Sequence, residues 1–155
     1  MGIKIALFIT FLLYAAVISQ SFFYLLGMTS VTRRLQATSY IEARQLLDSS
    51  LRPTLSGVYY ATLLSSIVLV TLCVTNPSGL LFISAIVALL AIIIDIIITL
   101  KGNRPLNEII NSWSTATYPP NWNQYRNRWL TFYHARQVVN LTGFLALLTG
   151  MIFGN

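Results

Sequence analysis

Four long apolar blocks separated by polar connections leave this chain few ways to fold. They run Ile5–Met28, Leu55–Val74, Leu80–Leu100 and Trp129–Phe153. Each is about as long as, or longer than, the ~20 residues a helix needs to cross the hydrocarbon core of a bilayer. Within the third block only Ser84, Asp95 and Thr99 are polar, so it cannot present the wetted stripe that every helix of a soluble bundle requires. The expected fold is therefore all-α, an integral membrane four-helix bundle forming one domain over residues 1–155. Composition agrees, with 9% of residues charged where soluble domains carry about a quarter.

The first block follows Lys4 as a secretory leader would. At 24 residues, and with no small-x-small cleavage signal at its end, it reads instead as an uncleaved anchor. Asn76-Pro77-Ser78-Gly79 between the second and third blocks is a turn signal that predicts an antiparallel hairpin. The fourth block carries His134, Arg136, Gln137 and Asn140 in its first half. It must begin in an interface or in a protein interior that satisfies those groups.

Ten basic and four acidic residues give a net charge of +6. On a soluble protein such an excess would suggest nucleic acid. Here the charges lie between apolar blocks, where the positive-inside bias accounts for them and no nucleic-acid partner is expected. Arg33, Arg34, Arg44 and Arg52 connect the first two blocks, and Lys101, Arg104, Arg126 and Arg128 lie between the last two. An even number of spans puts both connections on one side. The chain thus reads as a multi-pass protein of the cell membrane, in contact with the lipid bilayer, with both termini on the non-cytoplasmic side. The single cysteine, Cys73, excludes an intramolecular disulfide, and the single histidine, His134, excludes a three-histidine zinc site within one chain. No metal and no cofactor are expected. Gly27, Gly57, Gly143 and Gly150 permit close helix contacts and leave homo-oligomerisation open.

Any chemistry should lie where the membrane makes polar residues expensive. Asp95 falls five residues, or ~8 Å, before the cytoplasmic end of the third span, and Arg136 lies ~10 Å into the fourth from the same side. The two are expected to pair. Asp95, Thr99 and Asn103 recur at i, i+4 and i+8, one face of a helix continued past Leu100. Arg126, Trp129, Tyr133, Arg136, Asn140 and Gly143 form a stripe on the fourth span, and Tyr59, Thr62 and Ser66 another on the second. With Gln20 and Tyr24 near the end of the first span, these residues describe a pocket opening at the cytoplasmic end. Each also has a plainer role. Asp95 and Arg136 can be a structural pair that fixes helix register, Trp129 an interface anchor, and His134 a satisfied structural residue.

The connections differ in kind. Residues 29–52 alternate apolar and charged side chains, which predicts an interfacial helix over the bundle mouth. In the other connection Pro105 can open a short helix carrying Glu108, Ile109, Ile110 and Trp113, followed by a rigid turn at Tyr118-Pro119-Pro120-Asn121-Trp122.

The run Asn103-Arg104-Pro105-Leu106-Asn107-Glu108 supplies an N-x-P-L-N motif, and Trp129 with Arg136 supplies a W-x6-R spacing. Together with Trp113, Trp122, Arg126 and His134, these resemble the anthrone-oxygenase-like integral membrane proteins, many of whose bacterial members are known only as a domain of unknown function. The resemblance covers the four-span layout. It implies a membrane bundle that oxidises a flat phenolic or anthrone-like substrate with molecular oxygen, without a metal. His134 departs from the family pattern, standing where other members often carry asparagine. On this reading the catalytic residues are Asp95 or His134 as base and Arg136, with Asn107, as stabiliser of an enolate oxygen. Gln20, Tyr59, Asn103, Asn107, Trp129, Tyr133 and Asn140 form the binding site, with Tyr59, Trp129 and Tyr133 stacking on a hydrophobic aromatic small molecule. The competing class is a non-enzymatic interaction or scaffold subunit whose polar cluster is structural. A transporter ranks last, because the chain shows neither paired repeats nor interrupted helices.

Overall fold

The computed structural model describes residues 1–76 and 79–154. Among them the elements are helices: α1 (Gly2–Phe23), a π-helical turn (Tyr24–Met28), α2 (Thr29–Arg34), α3 (Ala37–Cys73), α4 (Leu80–Ile98), a second π-helical turn (Thr99–Asn103), α5 (Arg104–Asn111) and α6 (Trp122–Phe153). Pro77 and Ser78, the middle of the expected N-P-S-G turn, lie outside the described residues. The flanking Gly79 amide donates to the Asn76 carbonyl at 3.0 Å.

The helices join into four rods. Gly2–Arg34 and Leu80–Asn111 each run through a π turn, while α3 and α6 are single helices. All four are long and apolar enough to cross a membrane, as a multi-pass protein requires. At ~1.5 Å per residue each rod is roughly 50 Å long against a ~30 Å hydrocarbon layer, so each has length to spare. The polar part of every rod lies at the end that carries Arg33, Arg34, Arg44, Arg52, Lys101, Arg104, Arg126 and Arg128. We call this the arginine end.

The helix boundaries differ from the sequence expectation at that end. Residues 37–52 are not a separate interfacial helix but the first part of the 37-residue α3, which continues through Pro53. Proline there removes one bond to the carbonyl four residues earlier. The helix persists because Arg44, Asp48 and Arg52 pair along it at i, i+4, and because Tyr40 and Ile41 pack on Ile110 of α5 beside Trp113 and Trp122. Gln45 closes the junction, its Nε2 donating to the carbonyls of Ile110 (3.1 Å) and Trp113 (2.8 Å). Those carbonyls lie at and just beyond the end of α5, where helical bonding runs out; Ile110 also accepts from the Trp113 amide at 3.2 Å. Pro105 opens α5 as expected, in its first turn.

Around the bundle α1 packs on α3, α3 on α4, α4 on α6 and α6 on α1, with α4 and α6 sharing the broadest contact. Lipid is as apolar as leucine, so within the bilayer close packing and hydrogen bonds, more than burial, hold helices together. Ala85, Ala88 and Ala91 of α4 supply a small-residue surface. A Cβ on Gly143 of α6 would strike the Tyr14 hydroxyl and Ala91, and one on Gly150 would strike Ser84. Gly150 and Gly154 form a G-x-x-x-G spacing that is used inside the bundle, against Leu81 and Ser84. The Tyr14 hydroxyl donates to the Ala88 carbonyl at 3.0 Å, tying α1 to α4.

Candidate functional site

Two neighbouring side chains of α6 reach all three other long helices. Arg136 donates from Nε to Asp95 Oδ1 of α4 at 2.6 Å and from Nη2 to the Tyr59 hydroxyl of α3 at 2.8 Å. Gln137 Nε2 donates to the Ser21 carbonyl of α1 at 3.3 Å. The pair expected from matching depths is therefore present. Asp95 is fully buried, and its second oxygen has no partner.

From Arg136 an aromatic column rises along α6 towards the arginine end. Arg136 sits 5.4 Å from the Tyr133 ring centre, and Tyr133 stacks on Trp129 at 4.9 Å with the planes 11° apart. Arg44 of α3 lies 4.4 Å from the centre of the Trp129 ring. The contacts thus run in series from Arg136 through Tyr133 and Trp129 to Arg44. Tyr24, at the start of the first π turn, leans on both rings. Cation–π contacts of this kind contribute ~0.5–2 kcal/mol each, more when removed from water.

The outer end of the column is pinned by a carboxylate that sequence reasoning placed only in a connector. Asp48 is 7% exposed. Its Oδ1 accepts from Asn107 Nδ2 at 2.8 Å, and its Oδ2 accepts from Asn111 Nδ2 at 2.8 Å and pairs with Arg52 at 2.9 Å. Arg44 is 3.9 Å from Oδ1. Asn107 passes the connection on, its Oδ1 accepting from Trp129 Nε1 at 2.7 Å, while Asn103 Nδ2 donates to the Trp129 carbonyl at 3.0 Å. The spacings Arg44-Asp48-Arg52 and Asn107-Asn111, each at i, i+4, were the sequence signals for this node.

Between the deep pair and the Asp48 node lies a cleft of about 390 Å³. Of the residues singled out from sequence, Gln20, Tyr59, Asn103, Asn107, Trp129, Tyr133 and Arg136 line it. Asp95 sits behind Arg136, out of contact with the cleft. His134 is next to Tyr133 in sequence but ~100° round the helix, where its Nδ1 meets Gln137 Oε1 at 2.7 Å. Asn140 is buried further along α6 and is not part of the lining. Thr62 and Ser66 bond carbonyls of their own helix, Val58 and Thr62 respectively. The structure thus brings together the expected binding residues except Asn140, and keeps both expected bases away. Thr99 follows Asp95 by one ordinary α-helical turn, its N–H donating to the Asp95 carbonyl, yet Thr99 and Asn103 reach the cleft while the Asp95 carboxylate is taken by Arg136.

Four of the lining residues carry buried polar atoms without a partner: Gln20 Nε2, Arg44 Nε, Thr99 Oγ1 and Asn103 Oδ1. Each such atom costs ~1–3 kcal/mol when left unsatisfied. All four atoms are closed to solvent, so they lie behind the cleft surface, on residues whose other atoms form it. Among the described residues no three His, Cys, Asp or Glu side chains come together as a metal-ligand set. Comparison with protein-family models, with curated proteins and with solved structures finds no match to this chain.

Proposed function

We propose that this chain is a small membrane enzyme, similar to the anthrone oxygenases, that holds a flat phenolic or anthrone-like molecule in the cleft and lets its conjugate base react with molecular oxygen. The supporting observation is the juxtaposition of Arg136, Tyr59, Asn103 and Asn107 with the aromatic rings of Phe23, Tyr24, Tyr60, Trp129 and Tyr133 in one cleft, whose outer part is charged. In such a reaction a ring methylene loses a proton and the resulting charge rests on the carbonyl oxygen. The carbon then bonds to oxygen to give a hydroperoxide, and loss of water leaves a second carbonyl, so one CH₂ and one O₂ become C=O and H₂O. The chain's contribution is to stabilise the anion, with Arg136 and Tyr59 at its oxygen. No protein base touches the cleft with a free oxygen or nitrogen: Asp95 is behind Arg136, His134 faces away, and both oxygens of Asp48 are occupied. The proton therefore leaves to water at the arginine end, the cytoplasmic side by its positive charge. Tyr133, Tyr24 and Arg44 already crowd the Trp129 ring, so a flat substrate meets Tyr59 rather than stacking on Trp129.

The scaffold reading draws on a different observation, that Arg136 and Gln137 tie α6 to all three other long helices. Oxygen uptake separates the two. Protein in liposomes given an anthrone should consume oxygen at a saturable rate above that of empty vesicles, with quinone absorbance rising in step. Tyr59→Phe, which keeps the ring and its packing, should lower that rate roughly tenfold or more. A rate equal to that of empty vesicles would leave the scaffold standing.

A further inference from the structure

The two edges of the cleft that face outward change character with depth in the same way. On α3, Arg52, Ser56 and Tyr60 recur every four residues; opposite them Arg104, Leu100 and Ile96 do so on the rod of α4 and α5. All six line the cleft, and all but Ile96 are classed as exposed. The helices run antiparallel, so each row begins with an arginine at the arginine end and becomes apolar ~12 Å further in. Leu64 and Ile67 on α3, and Ile93 on α4, continue the exposed apolar surface deeper still, and Ile97 is exposed at the level of Ile96. In a bilayer the gap between these rows faces acyl chains at one end and headgroups at the other.

The inner wall has a charge preference. Arg44, Arg52, Arg104 and Arg136 line the cleft against a single lining carboxylate, Asp48. A small water-soluble anion would use the arginines but has no use for an apolar lane open to lipid. A neutral lipid would use the lane and leave the arginines idle.

From this we infer that the cleft takes its ligand sideways from the bilayer, through the gap between α3 and α4, and that the ligand is a membrane-soluble organic acid with one anionic head and an apolar body. The inference rests on the reading of the cleft as a binding site and is independent of the oxidation. The head lies among Arg44, Arg52 and Arg104, and the body runs along Tyr60, Leu100 and Ile96.

Trp129 in the cleft wall reports occupancy. The test uses the full chain in phosphatidylcholine nanodiscs, with Trp113→Phe and Trp122→Phe leaving Trp129 as the sole tryptophan and dibromostearate as quencher. Saturable quenching is expected, reversed by oleate and not by acetate or inorganic phosphate. Ser56→Phe with Leu100→Phe, both at exposed positions, should raise the half-saturating concentration at least tenfold by filling the gap. Arg52→Gln with Arg104→Gln should weaken binding without filling it. Equal competition by acetate or phosphate would make this a water-fed anion site, and equal competition by methyl oleate would remove the anionic head. Either result overturns the proposal, as does quenching that never saturates or that both double variants leave unchanged. If anthrone-dependent oxygen uptake persists without dibromostearate binding, the enzyme stands and the lateral route falls; with binding but no uptake, the lateral route stands and the enzyme falls.

Discussion

The bundle contains two carboxylate–arginine clusters built from the same chemistry and solved differently. At depth, Asp95 has Arg136 on one oxygen and nothing on the other. At the arginine end, Asp48 has partners on both oxygens, from two asparagines and Arg52, with Arg44 near. The deep pair lies among apolar helices, where each charge depends on its single partner. The outer node lies where water can replace any one donor. Equal ion pairs at different depths therefore carry unequal consequences, and the substitutions below set one layer against the other.

The largest effect belongs to the deep pair. Arg136→Met strands the Asp95 carboxylate in a dry interior, which costs about 3–5 kcal/mol, and it also cuts the link to Tyr59. The thermal midpoint in detergent, followed by circular dichroism, should fall steeply. Asp95→Leu combined with Arg136→Met should recover most of that loss, because a buried pair replaced by apolar groups of similar volume is often neutral. A single variant that melts like the double would show that water reaches this depth, and the contrast between layers would collapse.

That deep layer was also the more legible one. A carboxylate and a guanidinium inside apolar blocks stand out, and helical rise alone put Asp95 and Arg136 at one level. Asp48 did not stand out, because in a charged connection one more aspartate has no contrast. Helix ends were obscured for a related reason. Apolar runs measure the thickness of lipid, whereas α3 and α6 extend past it through Ala37–Arg52 and Trp122–Arg128, held there by ordinary packing and by the Arg44-Asp48-Arg52 row. The positions of His134 and Asp95 relative to the cleft turned on details that spacing does not carry: a 100° step from Tyr133 in one case, the seat of the Arg136 side chain between Asp95 and the cleft in the other.

An intermediate effect is expected at the outer node. Asp48→Asn keeps the shape but removes the charge that gathers Arg52 and Arg44 and orients Asn107. Hydrogen bonds to charged groups contribute about 1.5–3 kcal/mol each, and partial exposure of Arg52 with replacement by water puts the net loss in the lower part of that range. The change should be local. Trypsin should cut faster after Arg44, while the melting midpoint moves less than in Arg136→Met. A global loss as large as that of Arg136→Met would mean that the arginine end, not the bilayer half, governs stability.

Trp129→Phe is finer. It keeps a ring in contact with Arg44 and Tyr133 but deletes the Nε1 donor to Asn107 Oδ1, a net cost of ~1 kcal/mol, and adds the cost of the smaller ring at a buried position. Combined with Asp48→Asn it should cost less than the two singles summed, because both act through Asn107. Strict additivity in the same melting experiment would separate the aromatic column from the node and make Asn107 a bystander.

The smallest effect marks where the outer layer ends. Arg104 and Glu108 make a 3.2 Å pair with both side chains 56% exposed, at the same end of the bundle as Asp48, whose side chain is 7% exposed. Exposed pairs at i, i+4 contribute about 0.3–0.5 kcal/mol and fade with salt. Glu108→Gln should therefore shift the melting midpoint barely, and the shift should vanish at high salt, whereas that of Asp48→Asn should largely survive because its carboxylate is buried. A salt-resistant loss at Glu108 would extend the ordered polar layer out to the surface of α5 and place Arg104 under the same constraint as Arg44.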